Sequence, residues 1–236
     1  MRPDWFYDDL RQVGLDFEDE AAVAAYDRNQ GTGAAEDEAL LDRLGVRAGV
    51  WPGLVMIDLG TGTGSFPRAA ARRGARAWAV DVSAAMLAHA EDHARAEGLT
   101  GIAFRRAGFL TYDHDGPTAD LVTTKFALHH LPDFWKAAAL VRINGMLKPG
   151  GRLFLRDVVF SFAARDYTAG AEAWISRMAQ AEGHGFTRAD FATHVRDEHS
   201  TFAWILEGLI ERTGFRIIAA EKEDPAYADY LCVKEG

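Results

Sequence analysis

Between Gly53 and Pro67 the chain passes from an apolar run into three alternating glycines and then into a helix start. Few folds accommodate that order. Val55, Met56 and Ile57 suit a strand buried on both faces. Gly60, Gly62 and Gly64 let the backbone take positive φ and let a ligand approach the main chain closely. Ser65 is expected to cap a helix, with Pro67 in its first turn and an Ala/Arg-rich body up to Gly74. Strand, glycine turn and helix together present backbone N–H groups to a nucleotide-like ligand.

A second short strand, Ala77 to Val80, ends on Asp81. An acid at that point can accept hydrogen bonds from both ribose hydroxyls of an adenosine. A nicotinamide or flavin dinucleotide fold would need Gly-x-Gly-x-x-Gly. Counted from Gly60 its last position falls on Ser65, and counted from Gly62 on Pro67, so neither register fits. A tight strand-to-helix turn without a ligand explains the glycines but not Asp81.

The pattern Asp58-x-Gly60-x-Gly62-x-Gly64, followed by Asp81, resembles the cofactor site of class I S-adenosylmethionine-dependent methyltransferases. Leu128-His129-His130-Leu131 and the later Leu147-Lys148-Pro149-Gly150-Gly151 resemble the small-molecule, quinone-biosynthesis branch of that family. The resemblance covers roughly residues 50–160, and 200–236 loosely. It implies a doubly wound α/β fold: a seven-stranded, mostly parallel sheet, helices on both faces, and an antiparallel C-terminal hairpin. It also implies S-adenosylmethionine as cofactor, bound by Asp58, Gly60, Thr61, Gly62, Gly64, Asp81, Val82, Met86, Gly108, Phe109 and Lys125. Tyr26 is the candidate to cover the methionine end, with Arg28 as a carboxylate partner. Many relatives carry an acid for the adenine amino group where this chain has Gly108. Adenine recognition then rests on the backbone of Gly108 and Phe109, with Asp113 as the alternative acid.

The 236 residues are expected to form one domain. Its parts are a helical cover over 1–50, a cofactor-binding core over 51–160, a lid over 161–200 and a terminal helix with a strand hairpin over 201–236. The 161–200 segment reads alternatively as a homodimer contact. Further helices are expected over 35–44, 84–97, 133–147, 171–182 and 202–212. Strands are expected over 102–105, 119–124, 152–159, 215–220 and 227–233.

A net charge of −9 disfavours nucleic-acid partners. No Asn-Pro-Pro-Tyr motif for flipped bases follows the fourth strand, where Lys125-Phe126-Ala127-Leu128 stands. The acidic, aromatic N-terminus lacks a signal-peptide pattern and no run reaches membrane-span length, so a cytoplasmic protein is expected. The single cysteine, Cys232, reads as a buried strand residue.

Methyl transfer from a sulfonium is an in-line displacement, for which a protein mainly aligns donor and acceptor and excludes water. No metal site is expected, because no His/Asp/Glu group shows ligand spacing in the sequence. For a hydroxyl or acidic-carbon acceptor a general base helps, and His129 or His130 is the candidate, with His184 behind them. The competing functions are a non-catalytic S-adenosylmethionine-binding regulator, an RNA or protein methyltransferase, and a nicotinamide oxidoreductase.

Overall fold

The computed structural model describes residues 3–11, 23, 34–45 and 53–236. Tyr26 and Arg28 lie outside them. The elements run α1 (Ala34–Arg43), β1 (Val55–Leu59), α2 (Ser65–Arg72), β2 (Arg76–Asp81), α3 (Ala84–Ala96), β3 (Ile102–Arg106), β4 (Ala119–Lys125), α4 (Asp133–Met146) and β5 (Leu147–Phe160). They continue through α5 (Tyr167–Met178), α6 (Arg188–Asp197), β6 (Thr201–Phe202), α7 (Ala203–Arg212), β7 (Phe215–Glu221) and β8 (Tyr227–Lys234). The sheet order is β3-β2-β1-β4-β5-β8-β7, with the two-residue β6 pairing the end of β5. Strands β1 to β5 pair in parallel, and β8 is antiparallel to both β5 and β7. This is the doubly wound sheet with a C-terminal hairpin that the sequence implies.

Alternation along β1 divides the core between the two faces. Val55, Ile57 and Leu59 face a layer holding Leu140 and Ile143 of α4 and Leu206 and Ile210 of α7. Leu54 and Met56 face Leu40 and Leu41 of α1 and Phe66 and Ala70 of α2. A strand covered on both sides reads as a continuous apolar run, as this one does.

Two local expectations are corrected. Ser65 does not cap α2: Gly64, in the left-handed region at φ 72°, is the cap residue, and Ser65 is already helical. Strand β5 also begins five residues earlier than the 152–159 pattern suggests. Leu147 pairs Ala119, Arg152 pairs Leu121, and the glycine turn between them is absorbed as a bulge.

Cys232 is fully buried on β8, and that burial pushes its thiol up to about 12. Native protein at pH 8 is therefore expected to resist a disulfide-exchange reagent for minutes, whereas guanidinium-unfolded chain releases one equivalent. Stoichiometric labelling of the native form would place Cys232 elsewhere.

Candidate functional site

The carboxyl ends of the parallel strands open into a cleft. It is lined by Leu59 and Gly60 after β1, Val80 to Ser83 after β2, Ala107 to Phe109 after β3, and Phe126, Ala127 and His130 after β4. It lies where the sheet order reverses, between β1 and β4, the place where open α/β sheets hold ligands.

One rim is polar. The Asp81 carboxylate accepts from Gly62 N–H at 2.8 Å and from Ser83 N–H at 2.9 Å, so it fixes the glycine loop while lining the cleft. Burial raises its pKa, and those two backbone donors oppose the rise. Ser83 caps α3 by accepting from Met86 N–H at 3.0 Å, which brings Met86 into the cleft wall beside Val82. Gly60 sits at φ 73°, and a side chain there would collide with Ala127 Cβ. The missing side chain lets β1 and the turn after β4 close to cleft width. Phe126 is the described non-glycine residue with left-handed φ, at 53°. Its N–H donates to Arg156 O at 2.8 Å, and its ring meets Tyr227 edge-on. That turn, of a kind that concentrates at functional sites, brings Ala127 and His130 to the cleft.

Other expected site residues stand behind the wall. Asp58 is buried and accepts from the hydroxyls of Thr61, at 2.7 Å, and Thr123, joining the loop to β4. Burial raises its pKa against those hydrogen bonds. Thr61 is thus engaged in holding the loop. Gly64 packs against Ala90, with no room for a Cβ. Lys125 donates to Asp37 of α1 at 2.6 Å and lies over the Phe66 ring. Asp113 is exposed and paired with Arg142 outside the cleft. His184, on the 161–200 segment, is exposed.

The two adjacent histidines are separated. The His130 ring lines the cleft, and its Nδ1 has no hydrogen-bond partner among the described residues. Burial, and then the neighbouring His129 charge, push it down to about 3. His129 turns away: Nδ1 meets Asp157, and Nε2 meets Glu198 at 3.0 Å. Burial alone would lower its pKa, but Asp157 and Glu198 hold it up at about 9.

Asp9 was missed by the sequence reading. It lines the cleft, and a Cβ on Gly108 would fall on its carboxylate. Its Oδ2 accepts from Leu110 N–H at 2.7 Å. An acid 99 residues upstream therefore stands where a side chain at Gly108 would. His194 and Glu198 were also missed; their i, i+4 spacing at the end of α6 was the available signal.

A mostly apolar cleft with a half-buried carboxylate gripping the glycine loop at one rim fits an adenosine-bearing cofactor, and the strand order is that of a Rossmann-like fold. The model of the methyltransferase domain family matches residues 56–151. An uncharacterized methyltransferase of Geobacillus kaustophilus is 30% identical over 171 residues, 72% of this chain and 73% of that one. A ubiquinone biosynthesis O-methyltransferase of Methylococcus capsulatus is 30% identical over 159 residues, covering 67% and 63%. An S-adenosylmethionine-dependent methyltransferase from Clostridium acetobutylicum shares the fold at a TM-score of 0.69 and 13% identity, covering 92% and 98%. The chain belongs to the class I S-adenosylmethionine-dependent methyltransferase family, with S-adenosylmethionine as its cofactor. Among the described residues no helix is long and apolar enough to cross a membrane.

Proposed function

We propose that this enzyme transfers the methyl group to a small organic acceptor held against His130. The carrying observation is one cleft that has the Asp81 carboxylate gripping the glycine loop at one rim and the His130 imidazole, its Nδ1 without a partner among the described residues, at the other. S-adenosylmethionine, when bound, supplies a methyl group already activated on a sulfonium. Asp81 accepts from the ribose hydroxyls while its grip on Gly62 keeps the loop in place. Val82, Met86 and Phe109 pack on the adenine. Asp58 and Lys125 act from behind the wall, one tying the loop to β4 and the other tying α1 to β4. His130 takes the acceptor proton as the new bond forms. The relative named as a ubiquinone biosynthesis O-methyltransferase supports an oxygen acceptor, for which phenols are a first panel.

Calorimetry and a transfer assay test this. S-adenosylhomocysteine is expected to bind with one site per chain and NAD not at all, and labelled methyl should appear on at least one phenolic acceptor of a panel. Binding of NAD in its place, or binding without transfer to any small acceptor, would favour the oxidoreductase or the regulator.

Asp9 is proposed to take the adenine amino group. Asp9→Ala should then weaken S-adenosylhomocysteine binding about 10-fold, the worth of one hydrogen bond to a charged group. Gly108→Asp added to that variant should restore it, because the vacated space admits the new carboxylate. Unchanged affinity in Asp9→Ala would remove the role.

A further inference from the structure

The face of the post-β4 turn that points away from the cleft carries a second polar assembly. One ring nitrogen each of His129 and His194 and one carboxylate oxygen of Glu198 all lie within 4.8 Å of one another. Glu198 Oε2 is 3.0 Å from His129 Nε2 and 2.5 Å from His194 Nδ1. The three side chains are only 7%, 13% and 6% exposed. We propose that His129, His194 and Glu198 bind a divalent transition-metal ion of the zinc class, which fastens α6 to the turn bearing His130.

Three physical arguments support it. First, spacing: a tetrahedral ion with bonds of about 2.0–2.1 Å holds its ligand atoms roughly 3.3 Å apart. The Glu198 oxygen lies 3.0 and 2.5 Å from the two imidazole nitrogens, so an opening of under about 1 Å at each contact seats the ion. Second, orientation: each imidazole has its remote nitrogen engaged by an oxygen. His129 Nδ1 meets Asp157, and His194 Nε2 meets Ser200 Oγ at 2.7 Å. That outer arrangement fixes tautomer and ring direction in metal sites. Third, charge: Asp157 and Glu198 set two buried carboxylates around the two imidazoles, and a dication between neutral imidazoles balances both. Two imidazoles and one carboxylate select a borderline ion over magnesium. The site does not depend on the methyl-transfer reading.

The test is calorimetric titration of chelator-treated protein with zinc chloride, with magnesium chloride as control. The expected result is one zinc per chain and no magnesium heat. Affinity should fall roughly 100-fold in Glu198→Gln and His194→Ala, which remove ligands, and 10–100-fold in Asp157→Asn, which removes only the orienting carboxylate. Failure of the wild type to take up one zinc would overturn the proposal. So would equal affinity in the variants, which would place the ion elsewhere, for instance on His89 and His93 of α3. Should the variants not fold, cobalt(II) added to the wild type decides. A four-coordinate visible spectrum, with imidazole scattering in X-ray absorption, supports the site, and the six-coordinate aqua spectrum overturns it.

Discussion

Replacing Asp81 by alanine is expected to weaken S-adenosylmethionine binding by about 100-fold. Two hydrogen bonds from the ribose hydroxyls to this half-buried carboxylate contribute about 1.5 kcal/mol each, and about 3 kcal/mol corresponds to two decades in Kd. The loss has a second source in the protein itself. Asp81 accepts from Gly62 N–H and Ser83 N–H, so its removal also releases the glycine loop and the start of α3. Asp81→Asn separates the two contributions. The amide keeps one acceptor and its volume, so binding should fall by about 10-fold. Calorimetry with S-adenosylhomocysteine measures both variants, with circular dichroism to verify folding. Unchanged affinity in Asp81→Ala would mean that the ribose lies elsewhere.

The parts of the fold that local chemistry determines could be read from the sequence. The run around Met56 is apolar throughout because both faces of β1 are covered. Ser83 caps α3 as its residue type and position suggest. The terminal strands pair as a hairpin because their apolar runs lie a short loop apart. What escaped was set by distant partners. No residue near β5 reveals that the Lys148 to Gly151 turn stays within the strand; the pairing of Leu147 with Ala119 decides it. Ser65 loses the cap position because left-handed Gly64 already turns the chain into α2.

The site divides along the same line. Gly60, Gly62 and Asp81 belong to one strand-turn-helix-strand unit, and their convergence follows from its geometry. Asp9 reaches the cleft from a segment 101 residues before its Leu110 partner, and nothing around Gly108 announces it. The same holds for His129. Two neighbouring histidines in a single helical turn point in different directions, and which one faces the ligand depends on Asp157 and Glu198 attracting the other.

That separation makes the two rings experimentally distinguishable. His130→Ala is expected to lower kcat about 100-fold, the lower end of what a positioned base contributes, while cofactor affinity stays within about twofold. The ring is neutral above a pKa of about 3, so it can accept a proton throughout the working range. A base this weak suffices because an acceptor oxygen becomes strongly acidic as its bond to the methyl carbon forms. The sign for the pH profile follows: lowering pH from 8 to 5 should not protonate His130, so this group imposes no acid limb there. A limb near the ordinary imidazole pKa that vanishes in His130→Ala would show the ring to be more solvated than its place in the cleft implies. His129→Ala should behave differently. It leaves Asp157 and Glu198 buried without their shared partner, at a cost of about 3 kcal/mol, so the melting temperature should fall by about 10 °C. Equal turnover in the wild type and His130→Ala would show that the acceptor loses its proton to water, leaving the imidazole as cleft wall alone.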